Sequence, residues 1–103
     1  MKIKVESEKI IKAVEKLAGV ELVLEDVDDA KEAISLILSK PELYNEDDQE
    51  KLKEVKVTGF QEYKTSAVDY KMVFLLEFVF EEGVSRDSRV SLIKRFQGYF
   101  EKI

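Results

Sequence analysis

Two runs of carboxylates come closest to chemistry in this chain: Glu25-Asp26-Val27-Asp28-Asp29 and Glu46-Asp47-Asp48-Gln49-Glu50. Carboxylate oxygens are hard ligands, so either run raises calcium or magnesium. Neither has the alternating ligands, central glycine and distal glutamate of a calcium loop. A solvated turn and the N-terminus of a helix account for every one of these acids, because the first helical turn favours negative charge. No metal site and no cofactor are therefore expected.

Paired carboxylates also cleave glycosidic bonds when one is held protonated in a pocket and the other stays ionised nearby. Only Glu77 sits inside a hydrophobic run, between Leu75 and Val79 on its own face, and a rim charge opposite a lysine on the next strand explains it more simply. With no histidine and no cysteine in 103 residues, a serine nucleophile lacks its usual base and thiol chemistry is absent. No catalytic residue is assigned, and the chain is expected not to be an enzyme.

Nucleic-acid binding has two candidate features, the aromatics Tyr70, Phe74, Phe78 and Phe80 and the basic residues Arg86, Arg89, Lys94 and Arg95. Stacking platforms interleave exposed rings with basic side chains. Here the rings form an unbroken apolar row, and leaving them in water would forfeit about 1.5 to 3 kcal/mol each, comparable in sum to the net stability of a small domain. The row is expected to be core, and nucleic acid is disfavoured as a partner. The basic residues are free to touch phosphate or to neutralise acids of the same molecule.

Charge is unevenly spread. Residues 25–50 hold ten acids against Lys31 and Lys40, a balance of −8, whereas from Arg86 onward the balance is +3, within a net charge of −5. An acidic surface attracts basic partners over roughly a Debye length, about 8 Å at physiological salt. Glu25, Asp26, Asp28, Asp29, Glu46, Asp47 and Asp48 are the candidate partner-binding residues, with a basic protein surface as the partner.

The elements that must carry these residues follow from hydrophobic spacing. From Val68 to Phe80 every even position is large and apolar, the period of a strand with one buried face. Its other face carries Asp69, Lys71 and Glu77 but also Val73, Leu75 and Val79. That is more apolar surface than one helical layer needs, and a second sheet face, a folded-back helix or a dimer partner would satisfy it. Residues 55–65 form the preceding strand, bent or bulged at Gly59, with a turn near Thr65-Ser66-Ala67.

Ile10, Ile11, Val14, Leu17 and Ala18 recur at helical spacing after Ser7, which is placed to cap, and before Gly19. Ala30, Ala33, Ile34, Ile37 and Leu38 repeat the stripe after a capping box of Asp29 and Glu32, and Pro41 forbids continuation. Asn45 caps a short third helix with Leu52 and Val55 on its thin buried face. Ser85 or Asp87 starts a last helix with Leu92, Ile93, Phe96, Tyr99 and Phe100 on its apolar side. Residues 2–6 alternate as a short strand or an extended lead-in, and 20–25 as another short strand.

The expected fold is a small α+β domain spanning 1–103. An antiparallel sheet is built on a long hairpin of about 55–65 and 68–81, covered on one face by amphipathic helices at about 8–18, 29–39 and 86–102. The longest apolar run, Met72 to Leu76, is far short of the roughly 20 residues that span a bilayer, and residues 1–5 lack a signal-peptide core. Together with the absence of cysteine, this gives the expectation of an intracellular, cytoplasmic protein with no membrane contact.

The functional expectation is a non-catalytic binding domain, an inhibitor or accessory protein, by analogy with toxin antidotes and the nucleic-acid mimics of mobile elements. Self-association through the long hairpin, as a homodimer, accompanies it. One alternative is a structural subunit of a larger assembly, such as a phage or viral particle component. Another is a small enzyme or ligand carrier with a pocket between sheet and last helix, using Tyr63, Tyr70, Glu77 or Tyr99.

Overall fold

The computed structural model describes residues 1–63 and 70–103. Among them run β1 (Lys2–Glu6), α1 (Ser7–Ala18), α2 (Val27–Leu38), α3 (Glu46–Gln49), β2 (Leu52–Tyr63), β3 (Tyr70–Phe80) and α4 (Arg86–Lys102). The three strands form one antiparallel sheet in the order β1-β3-β2, so the longest alternating run in the sequence is the central strand. The turn expected at Thr65-Ser66-Ala67 and strand positions Val68 and Asp69 lie outside the described residues.

Alternation along β3 decides where the core lies. Phe74, Leu76 and Phe78 are buried together with Ile3 and Val5 of β1 and Val57 of β2, under Ile10 and Val14 of α1, Ala30, Ala33 and Ile37 of α2, and Leu92, Phe96 and Phe100 of α4. All three long helices thus cover one face of the sheet. The Phe78 and Phe96 rings lie 5.3 Å apart, and Phe96 meets Tyr44 edge-on at 6.4 Å, which joins β3, α4 and the turn before α3.

Five local expectations change. Strand β1 runs straight into α1, and Glu6, held extended by its pairing with Val73, is the residue before the helix, so Ser7 lies within the first turn and does not cap. Helix α2 begins two residues early, because Asp26 rather than Asp29 caps it: the Asp29 N–H donates to Asp26 Oδ1 at 2.9 Å, and Asp29 Oδ2 accepts from the Glu25 N–H at 2.8 Å. Residues 20–25 alternate as expected, with Leu22 and Leu24 against the core and Val23 74% exposed, yet they form no strand. That segment joins α1 to α2, two helices packed on each other.

Helix α3 is a single turn, and Leu52 and Val55 belong to β2 instead. The irregularity in β2 falls between Leu52 and Glu54, while Gly59 pairs in unbroken register with Phe74. A side chain at Gly59 would meet Val27 Cγ2 at 3.0 Å and Phe74 Cε1 at 3.1 Å. The glycine is there to let the start of α2 lie against the sheet.

Candidate interaction surface

The two acidic runs stand apart. Val27 touches Gly59, and the far end of α2, Leu38, lies in a groove with Glu54 and Val55, so α2 runs antiparallel to β2. Helix α3 leads directly into Leu52. Glu25 to Asp29 and Glu46 to Asp48 are therefore separated by about the length of α2, ~18 Å for a 12-residue helix, rather than forming one lobe.

Several of the seven candidate acids also have internal duties. Asp26 and Asp29 form the N-terminal cap of α2. Asp48 is only 2% exposed, and its Oδ2 accepts from Arg95 Nη1 at 2.5 Å and from the Asn45 N–H at 3.0 Å, while its own N–H donates to Asn45 Oδ1. It closes a capping box and an ion pair, so it does not belong to an outward surface. Glu25, Asp28, Glu46 and Asp47 remain as exposed, outward-facing acids.

The basic cluster of α4 is divided by the same contact. Arg95 turns inward to Asp48 and to the Leu43 carbonyl at 3.3 Å, neutralising an acid of the same molecule. Phe74 and Phe78 are buried and Phe80 packs partly buried against the core, so these three rings are flooring under the helices, while the side chain of Tyr70 lies outside the described residues.

Of the groups considered for a ligand pocket, Glu77 lies in register between Lys2 and Lys56, a rim charge flanked by lysines. The side chains of Tyr63 and Tyr70 lie outside the described residues. Tyr99 sits elsewhere, beside Glu42, Leu43 and Arg95. Its hydroxyl is buried without a hydrogen-bond partner among the described residues, and burial, then the charge of Glu42, raises its pKa. The cleft between β1 and α4, lined by Ile3, Val5, Lys9, Gln97 and Phe100, holds about 190 Å³, below the ~300 to 1,000 Å³ of small-molecule sites. Among the described residues no three acids gather closely enough to hold a metal ion, and no helix is long and apolar enough to cross a membrane.

What remains is the face of the sheet turned away from the helices. Its rows follow from the register: Glu54 and Val79; Lys56, Glu77 and Lys2; Thr58, Leu75 and Lys4; Phe60, Val73 and Glu6. No helix packs here among the described residues. Lys71 Nζ reaches diagonally across to Glu6 Oε1 at 2.7 Å, and Val73 in the same part of the face is fully buried. Val73 stands apart from the core cluster. Leu75 and Val79 stay partly open, and Phe60 is 38% exposed. The odd positions of β3 announce this apolar strip in the sequence, but the charges around it become a pattern only once the register of three strands is known.

Compared with known proteins, the chain matches no family model, no curated protein and no solved structure.

Proposed function

We propose that this chain is a non-catalytic binding domain whose docking surface is the uncovered face of its sheet, where it holds another protein chain. The observation that carries this is the apolar side chains Phe60, Leu75 and Val79, open or partly open on a face that no helix covers among the described residues. An apolar strip rimmed by charge is the composition of a protein interface, with a centre to desolvate and a rim to orient. Interleaved glutamates on the same face disfavour a nucleic-acid backbone.

A photo-crosslinking residue placed at Leu75, with Glu32 on the helical side as control, tests the reading in the source cell. Protein adducts at position 75 and not at 32 are expected. Equal labelling at both positions, or none at 75, overturns it.

The acids support a second, narrower reading, in which Glu25 and Asp28 at the start of α2 receive a basic protein that the domain inhibits or assists. Both are exposed, and neither side chain is needed for the cap. Glu25→Gln with Asp28→Asn should then abolish capture of that partner at low salt. Unchanged capture makes these acids a solvated helix start.

A further inference from the structure

We propose that the outer edge of β2 takes up an extended segment of a partner protein as a further antiparallel strand. This site is separate from the uncovered sheet face and stands independently of that reading.

The direction of the backbone groups follows from two bonds. The Phe78 N–H donates to the Met1 carbonyl ahead of β1, and the Glu81 N–H donates to the Lys51 carbonyl ahead of β2. Backbone groups alternate sides along a strand, so the even positions of β3 turn theirs to β1 and the odd positions to β2. Through the register, Glu54, Lys56, Thr58 and Phe60 direct their backbone groups to β3. Val55, Val57 and Gly59 point theirs the other way, off the edge of the sheet, where no backbone bond closes them among the described residues. Each presents one donor and one acceptor at the spacing of a strand, a row complementary to another extended backbone.

A groove beside this edge supplies the side-chain contacts. It holds about 470 Å³ between β2 and α2, lined by Ile34, Leu38, Val55 and Val57 with Lys31 and Ser35 at its side, and lies within the ~300 to 1,000 Å³ of ligand sites. Residues of an added strand opposite Val55, Val57 and Gly59 have their side chains on this same side of the sheet, so every second one enters the groove. The bulge between Leu52 and Glu54 ends the regular edge just before Val55.

The lining also sets the order of the segment. Leu38 stands at the Val55 end, and Lys31, one turn on from the Val27 that touches Gly59, stands at the other. Lys31 is exposed and has no ion pair among the described residues. An antiparallel segment that fits therefore carries an acid opposite Gly59, then apolar side chains opposite Val57 and Val55, with one residue between each.

Backbone amide shifts of the labelled full chain test the site. The probe is a peptide capped at both ends and reading threonine, glutamate, threonine, valine, threonine, leucine, threonine. Saturable shifts at Val55, Val57 and Gly59 and along α2 from Lys31 to Leu38 are expected, with β1 unmoved. N-methylation of the valine removes the N–H aimed at Val57 and leaves its side chain unchanged, so it should abolish the shifts. N-methylation of the threonine after it, whose N–H points away from β2, should preserve them. Lys31→Glu should weaken binding by about fivefold, the upper value for an exposed ion pair, and a peptide with lysine in place of glutamate should recover the loss.

No saturable shift, or equal loss with either methylated peptide, overturns the proposal. Shifts of the same amides on dilution of the chain alone would make the occupant a second copy and overturn the partner segment. Protein adducts at position 75 in the source cell would still uphold the uncovered face in any of these events.

Discussion

Asp48 and Arg95, 47 residues apart in sequence, meet at 2.5 Å, with the carboxylate at 2% and the guanidinium side chain at 39% exposure. This contact ties the turn before β2 to the middle of α4, and Asp48 at the same time completes the cap of α3. Removing the cation leaves a carboxylate in a site made for a pair. Arg95→Met should therefore destabilise by roughly 2 to 3 kcal/mol, read from urea unfolding, and Asp48→Asn combined with it should cost less than the two singles summed. Strict additivity would show that the pair is not coupled.

Gly59→Ala tests the contact of α2 with the sheet. The new methyl meets Val27, Phe74 and Met72 at 3.0 to 3.2 Å. Phe74 is fully buried and cannot retreat, so the helix start must move. The expected cost is about 1 to 3 kcal/mol in spite of alanine's lower chain entropy when unfolded. A neutral or stabilised variant would mean that α2 sits less tightly on β2 than described.

Alkali should destabilise the fold through Tyr44. Burial, and secondarily the charge of Asp48, raises its pKa above 10.0, and its hydroxyl donates to the Asp48 carbonyl at 3.2 Å. The unfolded chain thus releases this proton first. Stability is unaffected below about pH 10 and falls as pH rises from there through the higher folded value. Tyr44→Phe should lose about 1 kcal/mol at neutral pH and show a shallower decline above pH 10 than the wild type. Parallel declines would remove Tyr44 from the account.

The acids at the start of α2 divide by role. Asp26→Ala removes the cap and should cost about 1 kcal/mol, whereas Asp28→Asn, which breaks no cap bond, should change thermal stability by only a few tenths of that. Equal losses would contradict the assignment of Asp26 as the cap.

The architecture was readable where one period dominates. The even positions of β3 and the stripes of α1, α2 and α4 each point to a single buried face, and the sheet with helices on one side follows. What failed depended on distant partners. Nothing distinguishes Asp48 from Asp47 in the sequence, because what buries one of them is Arg95, from a helix that arrives much later. Glycine in a strand marks either a bulge or a close approach, and only Val27 against Gly59 decides between them. Leu22 and Leu24 carry a strand's alternation, yet packing against helices satisfies it as well as pairing would. The acids are adjacent in sequence on either side of α2, and the length of that helix is what parts them.

The uncovered face was half legible. The apolar odd positions of β3 called for a cover, but the charges beside them fall into place only through the pairing of Lys4 with Leu75 and of Glu6 with Val73, which no single strand reveals.

Photo-crosslinking from position 75 in the source cell, with position 32 on the helical side as control, tests most directly the claim that the uncovered sheet face holds another protein chain. Protein adducts at position 75 and none at position 32 are the predicted result. Equal labelling at both positions, or no adduct at position 75, would contradict it.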